Sequence, residues 1–164
     1  MNRIILLIFA FSGLWAHASH LAGGELTYTH ISAKIYDINV TIYRDCNDCK
    51  LSGTGGGNST KNCNDLDEVF IRTINGSCGN KKIGSIALTK IGFRNITQLC
   101  ATSNSKCDNN SNYNYGFEAH HYRGRVNFEN YSEYNGCLFQ IFFHKSERSS
   151  NITNLNTEED DLYN

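Results

Sequence analysis

The sequence predicts an all-β protein, an antiparallel β-sandwich of short strands joined by long Asn/Gly/Ser-rich loops and tied by disulfides. Three observations carry this expectation. Between Leu26 and Ile42, apolar residues recur at every second position over two segments, the spacing of strands with one buried face. Clusters of Gly, Asn and Ser interrupt the apolar runs along the whole chain, as turns and loops do. No segment reads convincingly as a helix.

The chain opens Met1-Asn2-Arg3, with one positive charge, and continues in an apolar run from Ile4 to Ala10 that Phe11 to Trp15 extend. Ala16-His17-Ala18 follows. A basic tip, a short apolar core and an Ala-x-Ala site read as a secretory signal peptide over 1–18, cleaved near Ala18. The run is about 12 residues, short of the roughly 20 that a spanning helix needs. No second such run follows, so no membrane span is expected after cleavage. The mature part, 164 − 18 = 146 residues, suits one domain. It is divided into a sandwich module over 19–155 and, over 156–164, an acidic tail or the truncated start of a further strand.

Ser19 to Cys46 organises that module. Leu26, Tyr28 and His30 alternate with Glu25, Thr27 and Thr29, and Tyr36, Ile38, Val40 and Ile42 alternate with Asp37, Asn39 and Thr41. The β-branched and aromatic residues suit a pleated, half-buried surface. The two segments form a hairpin with a three- to five-residue loop within 31–35 and an irregular entry at Gly23-Gly24. An isolated hairpin is marginal in water, so its apolar face requires further strands over it.

Leu51 to Asn64 is a Gly/Ser/Asn-rich loop. Val69, Ile71 and Thr73 share one face of a strand, and Asn75-Gly76 is a turn pair. Ile83 to Phe93 supplies one or two strands, and Asn104 to Tyr115 is a long surface loop. Phe117 to Phe128 is a strand with Tyr122, Val126 and Phe128 on one face. His120 and His121 within it are read as separate surface histidines, because strand neighbours point to opposite faces. Cys137 to Phe143 is apolar on both faces and is the expected central, fully covered strand. Strands of this number and spacing point to an immunoglobulin-like sandwich.

All seven cysteines, Cys46, Cys49, Cys63, Cys78, Cys100, Cys107 and Cys137, follow the signal segment. In an exported chain they read as disulfide formers. An odd number leaves at least one unpaired or bonded outside the chain. Cys100 with Cys107, across the polar tip Ala-Thr-Ser-Asn-Ser-Lys, is the favoured pair; the pairing of the others stays open. Cys46-Asn47-Asp48-Cys49 has Cys-x-x-Cys spacing, but it ends a strand and does not open a helix that would lower a thiol pKa. No second Cys-x-x-Cys or spaced His pair completes a zinc site.

Without Arg3 the chain holds 14 basic and 16 acidic residues, 14 − 16 = −2, and no basic patch to recruit nucleic acid. Asp65, Asp67 and Glu68 lack the calcium-loop spacing. The glycines at 53–57 lack the Gly-Lys-Ser/Thr of a phosphate loop. Asp45, Glu118 and Glu129 are available carboxylates in no recognisable catalytic arrangement. No catalytic, cofactor or metal residues are assigned. Tyr43, Tyr113, Tyr115, Tyr131 and Tyr134 are candidates for stacking on sugar rings. Asn-x-Ser/Thr triplets stand at Asn39, Asn58, Asn75, Asn95, Asn109, Asn130 and Asn151, acceptor sites in a eukaryotic secretory pathway.

His20-Leu-Ala-Gly23-Gly24-Glu25-Leu26-Thr27-Tyr28, then Tyr36, then Thr41-Ile42-Tyr43-Arg44-Asp45-Cys46 resembles the amino-terminal module of large Bacteroidetes surface proteins. Those proteins carry PKD or immunoglobulin-like repeats and gliding-motility-associated or type IX secretion domains. Cys100 to Cys107, Tyr122-Arg123-Gly124 and Ile152-Thr153-Asn154-Leu155 fit the same module in order. Where that family has paired cysteines and Arg-Asn, this chain has His144-Lys-Ser-Glu-Arg148-Ser-Ser. It reads as a shortened copy or a fragment. The resemblance implies a non-enzymatic secreted or cell-surface module for adhesion or surface-protein assembly, with a surface protein or glycan as partner. A secreted carbohydrate-binding module is the alternative, and an extracellular hydrolase a weaker one.

Overall fold

In a computed structural model, the chain is described over residues 21–46, 49–50, 61–62, 65–74, 78–99, 103–108, 115–145 and 162–163. The signal segment, most of the loop at 51–64, the acidic residues 158–161 and the Ile152–Leu155 stretch lie outside the described residues.

β1 (Leu21–Ser32) and β2 (Ile35–Asp45) form the expected hairpin. Its turn is shorter than expected. Ser32 pairs with Ile35, so Ala33-Lys34 alone makes the corner, and the register shifts at Ile31 to absorb one residue. Ala33 takes φ 41°, in the left-handed region that is uncommon for a residue with a Cβ. The His30 imidazole N–H donates to the Ala33 carbonyl at 2.9 Å and holds that corner.

The remaining strands are β3 (Cys49–Lys50), β4 (Lys61–Asn62), β5 (Glu68–Ile74), β6 (Lys81–Ala87), β7 (Thr89–Asn95), β8 (Phe117–Asn127), β9 (Leu138–Phe142), β10 (His144–Lys145) and β11 (Leu162–Tyr163). Two antiparallel sheets carry the fold, with strand orders β1-β2-β8-β7 and β6-β5-β9. β3 pairs with β4 in parallel, and β10 with β11 antiparallel.

The alternation read from the sequence sets the core. Ile38, Val40 and Ile42 of β2 and Tyr122 and Val126 of β8 are buried against Val69 and Ile71 of β5, Ile86 of β6, and Phe143. Each such side chain contributes about 1.5–3 kcal/mol by leaving water. At Gly124 the two sheets approach closely. A Cβ there would stand 2.6 Å from the Ala87 carbonyl oxygen and 2.8 Å from Ile86 Cγ2.

Four expectations about strands, helix, bridge and loop are corrected. Cys137 to Phe143 is not a central covered strand. β9 pairs with β5 alone among the described residues and forms a sheet edge. Its second apolar face is accounted for otherwise: Phe142 lies 5.7 Å from the Phe70 ring beneath the Arg72 guanidinium, and Leu138 is 57% exposed. A short 3-10 helix, Phe128–Tyr134, stands where no helix was expected. The Asn127 side chain starts it by accepting from the Glu129 N–H at 2.9 Å, as N-cap residues do.

The favoured Cys100–Cys107 bridge is not formed. Cys107 is bonded to Cys46, and a second bridge joins Cys78 to Cys137. The segment 103–108 folds onto the end of β2 instead of closing on itself. The Lys106 N–H bonds to the Tyr115 carbonyl, and the Cys46 N–H to the Gly116 carbonyl. Gly116 permits this approach, since a Cβ would stand 2.9 Å from the Cys107 sulfur. Ser105 and Cys107 are buried in consequence, so this part of the expected surface loop is core. The side chains of Cys49, Cys63 and Cys100 lie outside the described residues.

Candidate functional site

Two places hold unusual chemistry. The first lies at one end of the core. Beyond Ile42 the inner face of β2 changes from apolar to Arg44, and that of β8 from Tyr122 to His120 and Glu118. Arg44, Glu118 and His120 are each no more than 1% exposed. Arg44 donates to Glu118 Oε2 from Nε at 3.1 Å and from Nη2 at 2.9 Å, and its Nη2 also lies 3.3 Å from the Cys46 sulfur. His120 Nε2 lies 2.9 Å from the same carboxylate oxygen. The Phe93 ring stacks on the imidazole at 5.4 Å. His120 is thus no surface histidine, and its Nδ1 is buried without a hydrogen-bond partner among the described residues. Burial lowers its pKa more than its hydrogen bond to Glu118 raises it.

The carboxylates singled out from the sequence therefore separate. Asp45 and Glu118 are buried, and Glu129 is exposed on the 3-10 helix. Cys46, Cys107 and Glu118 bring ligand-type atoms within 4.8 Å of one another. They do not fit a metal ion, because the two sulfurs are bonded to each other and the guanidinium already balances the carboxylate. Alongside, the Tyr122 hydroxyl donates to Asp65 at 2.8 Å, and Lys90 pairs with the same Asp65 oxygen at 3.2 Å. Burial and that carboxylate push the Tyr122 phenol well above its usual range. These groups hold β7, β8 and the approach to β5 together.

The second place is open. β1 edges one sheet and β9 edges the other, and an apolar seam runs between them. One part, about 480 Å³, is lined by Tyr28, Tyr36, Ile38, Phe128, Phe139 and Ile141, with Lys34 at its rim. The adjoining part, about 500 Å³, shares Tyr28, Phe139 and Ile141 and adds Leu26, Glu25 and Gln140. The rings form a chain: Tyr28 to Tyr36 at 6.0 Å, Tyr36 to Phe128 at 5.7 Å, Phe128 to Phe139 at 4.9 Å. Tyr28 is 69% exposed. A concave, mainly apolar surface with a few polar groups at its rim has the character of a binding site.

The tyrosines proposed from the sequence for sugar stacking do not build this seam. Tyr43 is on β2 and bonds to Glu25 at 3.1 Å. Tyr131 and Tyr134 are on the 3-10 helix, Tyr115 precedes β8 with 47% exposure, and Tyr113 lies outside the described residues. Sequence reasoning missed Tyr28 and Tyr36 as site residues because they stood on the hairpin's apolar face. Their position near the β1–β9 gap depends on which strand ends up at the sheet edge.

The fold and seam define a disulfide-tied, two-sheet antiparallel sandwich with an open edge. No known protein family, curated protein or solved structure matches the chain. No helix among the described residues is long and apolar enough to cross a membrane.

Proposed function

We propose that the protein is a non-enzymatic secreted or cell-surface module that acts in adhesion or surface-protein assembly, of the kind that opens large Bacteroidetes surface proteins. The observation that carries this reading is the open aromatic seam between β1 and β9. It offers apolar contact area, whereas the ionisable cluster at Glu118 is closed to solvent. The two disulfides and the signal-like start are compatible with export.

The test is to follow the protein in its producing cells. It should appear outside the cell with Ser19 at its amino terminus, and deleting its gene should reduce attachment to surfaces or to neighbouring cells. Intracellular protein beginning at Met1, or attachment unchanged by the deletion, would refute the reading. Carbohydrate binding is the second reading, favoured by Tyr28 and Tyr36 beside Glu25, Lys34 and Gln140. Saturable glycan binding that is lost in Tyr28→Ser would select it.

A further inference from the structure

We propose that Asn135-Gly136 is a site of spontaneous modification, where the asparagine converts through a cyclic imide to isoaspartate and loosens the start of β9. The chemistry needs neither an enzyme nor an oxidant. The Gly136 nitrogen attacks Asn135 Cγ, and a new N–Cγ bond forms. The Cγ–Nδ2 bond breaks, and the side-chain nitrogen leaves as ammonia with the proton that Gly136 gives up. Water then opens the ring. Opening at the Cγ carbonyl gives aspartate. Opening at the main-chain carbonyl gives isoaspartate, whose backbone runs through Cβ and is one methylene longer. Water enters and ammonia leaves, and nothing is oxidised or reduced.

The local structure leaves this reaction unobstructed. Asn135 and Gly136 are both exposed, so water reaches them. Gly136 has φ 86°, and nothing lies within 4 Å of where its Cβ would stand. The attacking nitrogen therefore carries no side chain that would block its approach. In the folded chain Asn135 has ψ 130°, and the peptide group after it must swing over the side chain for the ring to close. That group is untethered. The Asn135 N–H donates to the Ser132 carbonyl at 3.2 Å, and the Cys137 N–H to the Tyr134 carbonyl at 3.0 Å. Between these two bonds, the Asn135 carbonyl, the Gly136 N–H and the Asn135 side chain make no hydrogen bond among the described residues.

Other asparagines are held. Asn39 Oδ1 accepts from Arg123 Nε at 3.2 Å, within β2 and before Val40. Asn95 Oδ1 accepts from the Thr97 N–H at 3.0 Å while its Nδ2 donates to Ser105. Asn127 Oδ1 accepts from the Glu129 N–H at 2.9 Å. Each has its side chain engaged and a bulkier residue after it.

The added methylene falls in a tight place. The turn from Tyr134 to Cys137 is closed by one hydrogen bond. Immediately beyond it, Cys137 is tied to Cys78, and Leu138 pairs with Ile74 at the start of β9. A longer backbone inside that turn breaks its closing bond and pushes on the first pair of the β5–β9 ladder. Cys137, Leu138 and Phe139 also line the seam, so the change reaches its wall.

The experiment incubates the purified, disulfide-intact protein in mildly alkaline buffer and maps its peptides by mass. The peptide holding Asn135 is expected to gain about one dalton, the difference between –NH2 and –OH. Methylation by an isoaspartyl methyltransferase should label that peptide. Conversion in the folded protein should run at a rate similar to that of a synthetic peptide spanning residues 132–139. Asn135→Gln, which would need a larger ring, should stay unlabelled there. Ion exchange isolates the converted protein, and amide exchange then compares it with Asn135→Asp, which has the same charge on a backbone of normal length. The isoaspartate form should exchange faster at Leu138 and Phe139, with Asn135→Asp close to wild type. An Asn135 that stays intact in the folded protein while the synthetic peptide converts would overturn the proposal. Equal exchange in the isoaspartate form and Asn135→Asp would overturn the loosening of β9.

Discussion

Glu118 accepts three hydrogen bonds on one buried oxygen, two from Arg44 and one from His120. Removing one partner of a buried pair leaves an uncompensated charge, which costs about 3–5 kcal/mol, whereas replacing both by apolar groups can be close to neutral. Glu118→Ala is therefore expected to lower stability by about that amount, measured by urea unfolding. Arg44→Met combined with Glu118→Leu should lose less than Glu118→Ala alone. A double variant as unstable as the sum of its single changes would show that the two residues are not coupled. His120 adds a pH dependence. Its pKa is below the ordinary 6.5, chiefly through burial, with Lys90 and Arg44 lowering it further and Glu118 opposing them. The unfolded chain then binds more protons than the folded one just below pH 6.5. Stability is complete above that value and declines as pH falls toward the lowered folded value. His120→Phe removes this titration and keeps a ring for Phe93 to meet. Its unfolding midpoint should fall less than that of the wild type between about pH 7 and pH 5; an identical fall in both proteins would exclude His120 as the source.

At the scale of elements, the strands were legible because burial on one face writes itself as period two. Val69, Ile71 and Thr73 all lie at 0% exposure, and Ile38, Val40 and Ile42 at 2% or less. Two features were not legible. His120 was read as a surface histidine, and the burial of Arg44 and Glu118 beside it was not anticipated, because mutual satisfaction inside a core leaves no local mark in the sequence. The disulfide partners were not legible either. Cys46 and Cys107 are separated by 61 residues, and only the return of segment 103–108 to the end of β2 brings them together. Nonreducing peptide mapping is expected to recover Cys46 linked to Cys107 and Cys78 linked to Cys137. A Cys100–Cys107 peptide in the native protein would contradict this arrangement. Closing a loop of that length restricts the unfolded chain by about 4 kcal/mol in the loop-entropy account. Cys46→Ser with Cys107→Ser should therefore destabilise the protein by an amount of that order, read from denaturant midpoints.

At the scale of the molecule, the two sheets differ in how their edges are finished, and this should show in the order in which the structure opens. β2 is paired on both sides from Ile35 to Arg44, β8 is paired with β2 along its 11 residues and with β7 from Glu118 to Arg123, and Ile38, Val40, Ile42, Tyr122 and Val126 of their inner faces are buried in the apolar core. Opening either one breaks two ladders and exposes that core together. β9 is five residues long, has one pairing partner among the described residues, and borders the seam. Local opening follows the number of ladder bonds and the burial lost. In native-state hydrogen exchange the amides of Val40, Ile42 and Tyr122 should therefore be among the slowest, close to the limit set by global unfolding. Amides of β9 should divide by direction: those bonded to β5 protected, and those directed into the seam exchanging at rates close to an open chain. The division follows from strand geometry, since successive N–H groups point to opposite sides of the strand. Uniform protection along β9 in the isolated protein would mean that the seam is already filled, and that the sandwich is closed on the side where, among the described residues, its two sheets end without a partner strand.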